Sequence, residues 1–243
     1  LHQSISLNSS IPEEQMVMEL IDSSPFQRLR RIKQLGPAYL TFHGAESSRF
    51  THSLGVFHIA RRAINHLSEL DSRLKEHKFI LYAAALLHDL GHGPLSHTSE
   101  EIFKIKHEAW TGKLINENQE ISIILNRYGK GNAKAISDLI QSRKAPEKSI
   151  VSLISSQLDC DRLDYLMRDS YTTGARYGQL DIDRIISAMT LAPDGDLAIQ
   201  PKGLMAVEHY LVIRNLMYRS VYNHRLNEVC NWLLEQIIKT ARK

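Results

Sequence analysis

The sequence predicts an all-α fold carrying one small β-hairpin. Glycine and proline number only 12 and 7 among 243 residues, so the residues that most often punctuate strands and turns are sparse. Apolar residues recur at steps of three and four through most of the chain, the spacing of one helix face. Strand-like alternation is confined to a single stretch.

Val56, Ile59, Ala60, Ala63, Ile64, Leu67 and Leu70 follow that spacing and predict a first amphipathic helix, opened by His52. Lys78–Leu87 is apolar nearly all round, as expected of a helix buried on every side, and Gly91-His92-Gly93-Pro94 stops it. Helices are expected over His107–Asn118, Ile121–Tyr128 and Ala133–Ser142, with Ser142–Ser149 as a loop. Single helices are expected over Ser149–Tyr171, over Ile182–Thr190 and from Ala206 to about Lys239. The hairpin is placed at Met189–Leu191 and Leu197–Gln200, joined by Pro193-Asp194-Gly195-Asp196, where Asp-Gly favours a tight turn. Without a repeat or a clear linker, residues 1–243 are expected to form one domain. The start at Leu1 and the helical character of the last residues suggest a piece of a longer polypeptide that continues past Lys243.

Composition narrows the function classes. The formal charge of +3 (30 basic against 27 acidic residues) is too small for a dedicated nucleic-acid binder. No apolar run reaches the ~18 residues of a membrane-spanning helix. Cys160 and Cys230 have no CxxC partner, which excludes a zinc finger or a disulfide scaffold and, with no signal-peptide pattern, fits a reducing, cytoplasmic location. Nine of the 12 histidines fall between His43 and His107, a concentration that points to metal or acid–base chemistry.

His88-Asp89 ends the buried helix. An aspartate behind Leu81–Leu87 is costly to bury uncompensated; a divalent cation is one compensation, an arginine partner or a helix cap another. His52 and the carboxylate cluster around Asp161 supply further candidate ligands. Two imidazoles and two carboxylates suit Mn, Fe, Co, Ni or Mg, or a catalytic Zn, but not structural zinc, since no thiolate is offered.

Five ordered blocks then carry a resemblance: Phe26-Gln27-Arg28-Leu29-Arg30-Arg31-Ile32-Lys33-Gln34-Leu35-Gly36; Arg49-Phe50-Thr51-His52-Ser53-Leu54-Gly55-Val56; Leu86-Leu87-His88-Asp89-Leu90-Gly91-His92-Gly93-Pro94-Leu95-Ser96-His97; Asp161-Arg162-Leu163-Asp164-Tyr165 with Arg168-Asp169; and Arg214-Asn215 through Tyr222-Asn223-His224-Arg225. The chain resembles the HD-domain phosphohydrolases, in the branch of deoxynucleoside-triphosphate triphosphohydrolases, from about His2 to Arg225. The resemblance implies a helical HD bundle with His52, His88, Asp89 and Asp161 as metal ligands.

His97 and Glu100 share a helix face, and a carboxylate on one ring nitrogen orients an imidazole and raises the pKa of its other nitrogen. With His92 between its two glycines and Arg49 beside His52, these form the candidate catalytic group; several family members have Asp where Glu100 stands. Arg49 and Arg162, next to metal ligands, could bind phosphate oxygens, and no P-loop motif is present to do so. The family often has Lys at the position of Arg162. The resemblance implies a phosphate contact for His107, a sugar platform in Tyr165, a 3′-hydroxyl acceptor in Asp169, and sugar and base contacts from Gln34 and Leu35. Arg214, Tyr218, Tyr222 and Arg225 read as an aromatic stripe with flanking cations along one helix; by resemblance Arg214 serves phosphates and Tyr222 the base, while relatives often have His in place of Tyr218.

The expected substrate is a deoxynucleotide, cleaved at the α-phosphorus of its triphosphate. Alternatives are another phosphoester, such as a nucleoside monophosphate or cyclic nucleotide, or a sensing module with little turnover. Single-stranded nucleic acid is a conceivable partner through the basic cluster Arg28, Arg30, Arg31 and Lys33, although a solvated helix face accounts for that cluster. Homo-oligomerisation, as a dimer or tetramer, is implied by the resemblance alone. Relatives carry Asp-Pro-Val/Ile-His-Gly where this chain begins, with Gln3 in the glycine position.

Overall fold

Local signals in the chain set several of the helix boundaries in the computed structural model, which describes residues 1–177 and 179–241; the expected continuation past Lys243 lies outside them. Thirteen α-helices are present among these residues: α1 (Pro12–Asp22), α2 (Ser24–Gln27), α3 (Arg49–Leu70), α4 (Lys78–Leu87), α5 (His97–Phe103), α6 (His107–Glu117), α7 (Gln119–Arg127), α8 (Asn132–Ser142), α9 (Lys148–Ile154), α10 (Cys160–Thr173), α11 (Ile182–Ala188), α12 (Leu204–Met217) and α13 (Arg225–Ala241). Strands β1 (Met189–Leu191) and β2 (Leu197–Ile199) pair antiparallel, with Thr190 opposite Ala198. Gly195 supplies the positive φ of +83° in the turn between them.

Ser48 caps α3 through its hydroxyl, which accepts from Thr51 N–H. The face predicted from Val56 to Leu70 is buried as far as Leu67 and lies against α4 and α10, while Leu70, at the helix end, is exposed. Residues Leu81 to Leu87 of α4 are all buried, enclosed by α1, α3 and α8. The polar end of α4 is therefore delivered into the interior by a helix whose every side is already packed. Helix α1 was not read from the sequence, although Pro12 in its first turn, Glu13 and Glu14 behind it, and buried Met16, Val17 and Leu20 are its signals.

Two predicted helices are divided. Ser149–Tyr171 is split into α9 and α10 because local side chains take the backbone donors between them. The Asp159 carboxylate accepts from Ser156 N–H at 3.0 Å and Arg162 N–H at 2.8 Å, and Ser156 Oγ accepts from Leu158 N–H. Ala206–Lys239 is split as well. Tyr218–Tyr222 widens into a π turn, in which Asn223 N–H reaches back to Tyr218 O, and α13 starts afresh at Arg225. Arg214, Tyr218, Tyr222 and Arg225 thus do not share one helix face.

The basic cluster is not a solvated helix face throughout. Arg28 donates to Leu90 O and His92 O, Arg30 lies over Phe50 at 3.7 Å and Lys33 over Tyr39 at 3.4 Å. The Arg28 bonds fasten the 3₁₀ turn at Arg28–Arg31 to the loop after α4, and the Arg30 contact fastens it to α3. Among the described residues, no helix is long and apolar enough to cross a membrane.

Candidate metal centre

His52 sits one turn into α3, His88 and Asp89 at the end of α4, and Asp161 in the first turn of α10. The packing of α3 against both other helices brings the four together. His52 Nε2 is 3.0 Å from Asp161 Oδ1 and 3.6 Å from Asp89 Oδ2; His88 Nε2 is 3.5 Å from Asp89 Oδ1 and 3.7 Å from Asp161 Oδ1.

Each imidazole is held from behind. His52 Nδ1–H donates to Asp164 Oδ2 at 2.7 Å, and His88 Nδ1–H donates to Ala85 O at 2.9 Å. With an ionised carboxylate or a carbonyl on Nδ1, the proton belongs there and the Nε2 lone pair is free in the neutral ring. Both Nε2 atoms are buried and have no hydrogen-bond partner, and ligand atoms of His52, His88 and Asp161 lie within 4.8 Å of one another. Such an N/O set, at separations compatible with metal–ligand bonds of roughly 2.0–2.3 Å, fits a divalent cation. Burial opposes a charge on His52, but the carboxylates of Asp161 and Asp164 outweigh it and raise its pKa to about 10. Despite its own burial, Asp161 is held below the usual carboxylate range by the two imidazoles. The pocket therefore favours positive charge.

The arginine that the sequence left open as a compensation for Asp89 is present. Arg49 NH1 bonds Asp89 Oδ2 at 2.5 Å, while its Nε reaches Ser96 Oγ and its NH2 reaches Gln34 O. Gly91 lets α6 approach this corner, since a Cβ there would overlap His107 O and Thr111 N. Thr111 Oγ1 accepts from Gly91 N–H and donates to His88 O.

A second cluster adjoins the first. One oxygen of Glu100 accepts from His97 Nδ1–H at 2.8 Å and from His107 Nδ1–H at 2.9 Å, and lies 3.5 Å from His92 Nδ1. His92 stacks on His107 at 3.9 Å. Burial and the Arg49 charge lower the His92 pKa to about 3, and its two ring nitrogens have no hydrogen-bond partner. Part-burial opposes ionisation of Glu100, but its histidine donors hold it well below the usual range.

Cavities flank these clusters. One of about 510 Å³ is lined by His88, His107, Asp161 and Arg162; another of about 170 Å³ by Gln34, Leu35, His97 and Tyr222. Tyr165 and Tyr222 meet edge to face at 5.8 Å, and Tyr222 in turn meets Tyr218 at 5.1 Å. Tyr222 OH donates to Asp169 Oδ2, leaving buried Asp169 Oδ1 without a partner. Burial pushes the Asp169 pKa up to about 7. Two predicted phosphate cations are engaged elsewhere. Arg162 bonds the Asp159 carboxylate and Ser156 O, and Arg214 bonds Gln157 Oε1 at 2.9 Å.

Asp164 was missed as a site residue. It is fully buried and bonds His52, His2 and Arg168. Its signals were available in Arg168 four residues on and in Gly55, three residues after His52, where a Cβ would overlap Asp164 Oδ1.

The chain is similar to known proteins over most of its length. Residues 49–169 match the HD domain and residues 180–242 the HD associated region. A Bacillus subtilis protein named as uncharacterized, YwfO, is 43% identical over 95% of this chain and 53% of its own. A Dictyostelium discoideum protein named deoxynucleoside triphosphate triphosphohydrolase SAMHD1 homolog is 32% identical over 93% of this chain and 46% of its own. Among solved structures, a hypothetical protein from Aquifex aeolicus superposes with a TM-score of 0.83 at 37% identity, covering 93% of this chain and 60% of that one. A phosphohydrolase from Bacteroides thetaiotaomicron gives 0.77 at 35%, covering 90% and 53%. The chain spans about half the length of the curated relatives it matches.

Proposed function

The chain belongs to the HD-domain family, and from that premise we propose that it is a divalent-metal-dependent phosphohydrolase that cleaves deoxynucleoside triphosphates at the α-phosphorus, releasing deoxynucleoside and inorganic triphosphate. The observation that carries the reading is the pair of unpartnered Nε2 atoms of His52 and His88, facing the carboxylates of Asp89 and Asp161. These four residues would hold the cation, which when bound polarises a phosphoryl oxygen and lowers the pKa of an attacking water.

The chain's own groups supply the rest. Arg49, fixed on Asp89, adds a permanent positive charge that stabilises charge developing on the phosphoryl oxygens. His92 is neutral near pH 7 and can accept a hydrogen bond from the attacking water. His97, held through Nδ1 by Glu100, keeps Nε2 for proton transfer to the leaving 5′-oxygen, and His107 contacts phosphate. Tyr165 packs under the sugar, where a 2′-hydroxyl would clash, and Asp169 Oδ1 accepts from the 3′-hydroxyl. Gln34, Leu35 and Tyr222 border the small cavity and serve the sugar and base, with Tyr218 beside them. Arg162 and Arg214 reach phosphate by exchanging their present partners. The relative named as a triphosphohydrolase supports this substrate class. Exposed Met205, Val212, Trp232 and Ile237 on α12 and α13 offer apolar surface for homo-oligomerisation.

The test is anion-exchange chromatography after incubation with each dNTP and Mn²⁺. Triphosphate and deoxynucleoside are expected, and Asp161→Ala abolishes both; pyrophosphate with monophosphate refutes the α-phosphorus reading. Equal turnover of ribonucleotides removes the role given to Tyr165. The engagement of Arg162 and Arg214 favours a second reading, in which a monophosphate is the substrate, and a deoxynucleoside monophosphate arm in the same panel separates the two.

A further inference from the structure

We propose that His2 is a positioning residue for the cation site, acting through Asp164 on His52; the inference rests on the metal-dependent reading above. Asp164 is a buried carboxylate with four donors around it. Oδ1 accepts from His2 Nε2–H at 2.6 Å and Arg168 NH2 at 3.0 Å; Oδ2 accepts from His52 Nδ1–H at 2.7 Å and Arg168 Nε at 2.8 Å. An ionised carboxylate offers about four such positions, so all are used. Three of the four bonds are internal to α3 and α10. The fourth comes from a segment more than 160 residues away in the chain.

That segment is held against the helices. Arg61 on α3 donates to Ser6 O at 2.8 Å, Ile5 and Leu7 pack on the core, and the His2 ring lies 5.4 Å from the His58 ring. Gln3 has a φ of +51°, a left-handed conformation that is strained for a residue with a Cβ. The surrounding contacts keep it there, and with it the path that turns His2 inward. The His2 side chain is 7% exposed and Asp164 is fully buried.

The consequence is physical. Without the His2 imidazole, Asp164 is one donor short. It then faces a cavity of about 430 Å³ lined by His58, Arg62, Asp181 and Asp183. Water entering there competes for the carboxylate, loosens its hold on His52 Nδ1, and lets the ring turn Nε2 away from Asp161. Outer partners of a metal-binding histidine act in this way, and removing one typically costs 10–100-fold in metal affinity.

The test titrates the purified, cation-stripped chain with Mn²⁺ by calorimetry. His2→Ala is expected to bind about tenfold more weakly than wild type. His2→Gln, whose side-chain amide replaces the Nε2–H donor, recovers most of the loss. Asp183→Ala, which lines the same cavity and pairs with Arg62 rather than with His2 or Asp164, binds as wild type does. A melting curve of each cation-free variant separates this from unfolding, and His2→Asn repeats the comparison if alanine unfolds the chain. Wild-type affinity in a folded His2→Ala, or no recovery with His2→Gln, overturns the proposal and leaves the functional reading standing. A wild-type chain that binds no Mn²⁺ overturns both.

Discussion

A single oxygen of Glu100 orients two imidazoles, His97 and His107, and its carboxylate is held ionised by them. Replacing it by Gln removes the charge but little of the volume, and an amide oxygen is a weaker partner for an imidazole that must hold a proton. Glu100→Gln is therefore expected to lower kcat about 10²–10³-fold while leaving Mn²⁺ affinity unchanged, because Glu100 has no hydrogen bond to His52, His88, Asp89 or Asp161. Steady-state kinetics and calorimetry on the same preparation check both halves. The residue types that could hold a cation were legible in the sequence, because imidazoles and carboxylates beside an apolar helix need compensation. The hold on His52 from behind was not, since Asp164 is one of three aspartates in Asp159-Cys160-Asp161-Arg162-Leu163-Asp164 and only tertiary packing distinguishes their tasks.

Helix α3 meets α10 closely at Gly55, where a Cβ would overlap the Asp164 carboxylate and crowd the Arg168 guanidinium. In Gly55→Ala the helices must part or the Asp164–Arg168 pair must move. Overpacking of this kind costs about 1–3 kcal/mol, beyond the modest gain alanine brings to a helix. Urea unfolding should register that loss, and a variant as stable as wild type would show that the gap can be opened freely. Long elements with an apolar face, such as α3 and α4, could be read from spacing alone. The breaks after Ile154 and at Tyr218–Tyr222 could not, because apolar periodicity runs through both. The first depends on Asp159 and Ser156 capturing backbone donors, the second on tertiary anchoring of Tyr222 to Asp169.

Stability of the whole molecule carries a pH signature from Asp169. Its carboxyl keeps a proton up to about 7 in the folded chain, against a usual value of 3.8. Between those values the folded state binds more protons than the unfolded one, so the contribution is complete below about pH 4 and is lost as pH rises through 7. Denaturant unfolding from pH 5 to 7.5 should reveal a decline of roughly 2 kcal/mol from this group, and Asp169→Asn should flatten it. The all-α architecture and the hairpin were legible because turn residues are sparse and Asp194-Gly195 stands between two short apolar runs. The order in which the cavities adjoin the histidines was not, because it follows from how α10 lies across α3. Asp161, Tyr165 and Asp169 stand four residues apart on α10, and at 1.5 Å per residue the outer two are separated by about 12 Å along its axis. Under the proposed function the helix is thus a rigid gauge: a substrate engaging both ends combines an anionic group at one with a hydroxyl-bearing ring at the other, and a bare oxyanion is too short to register on it.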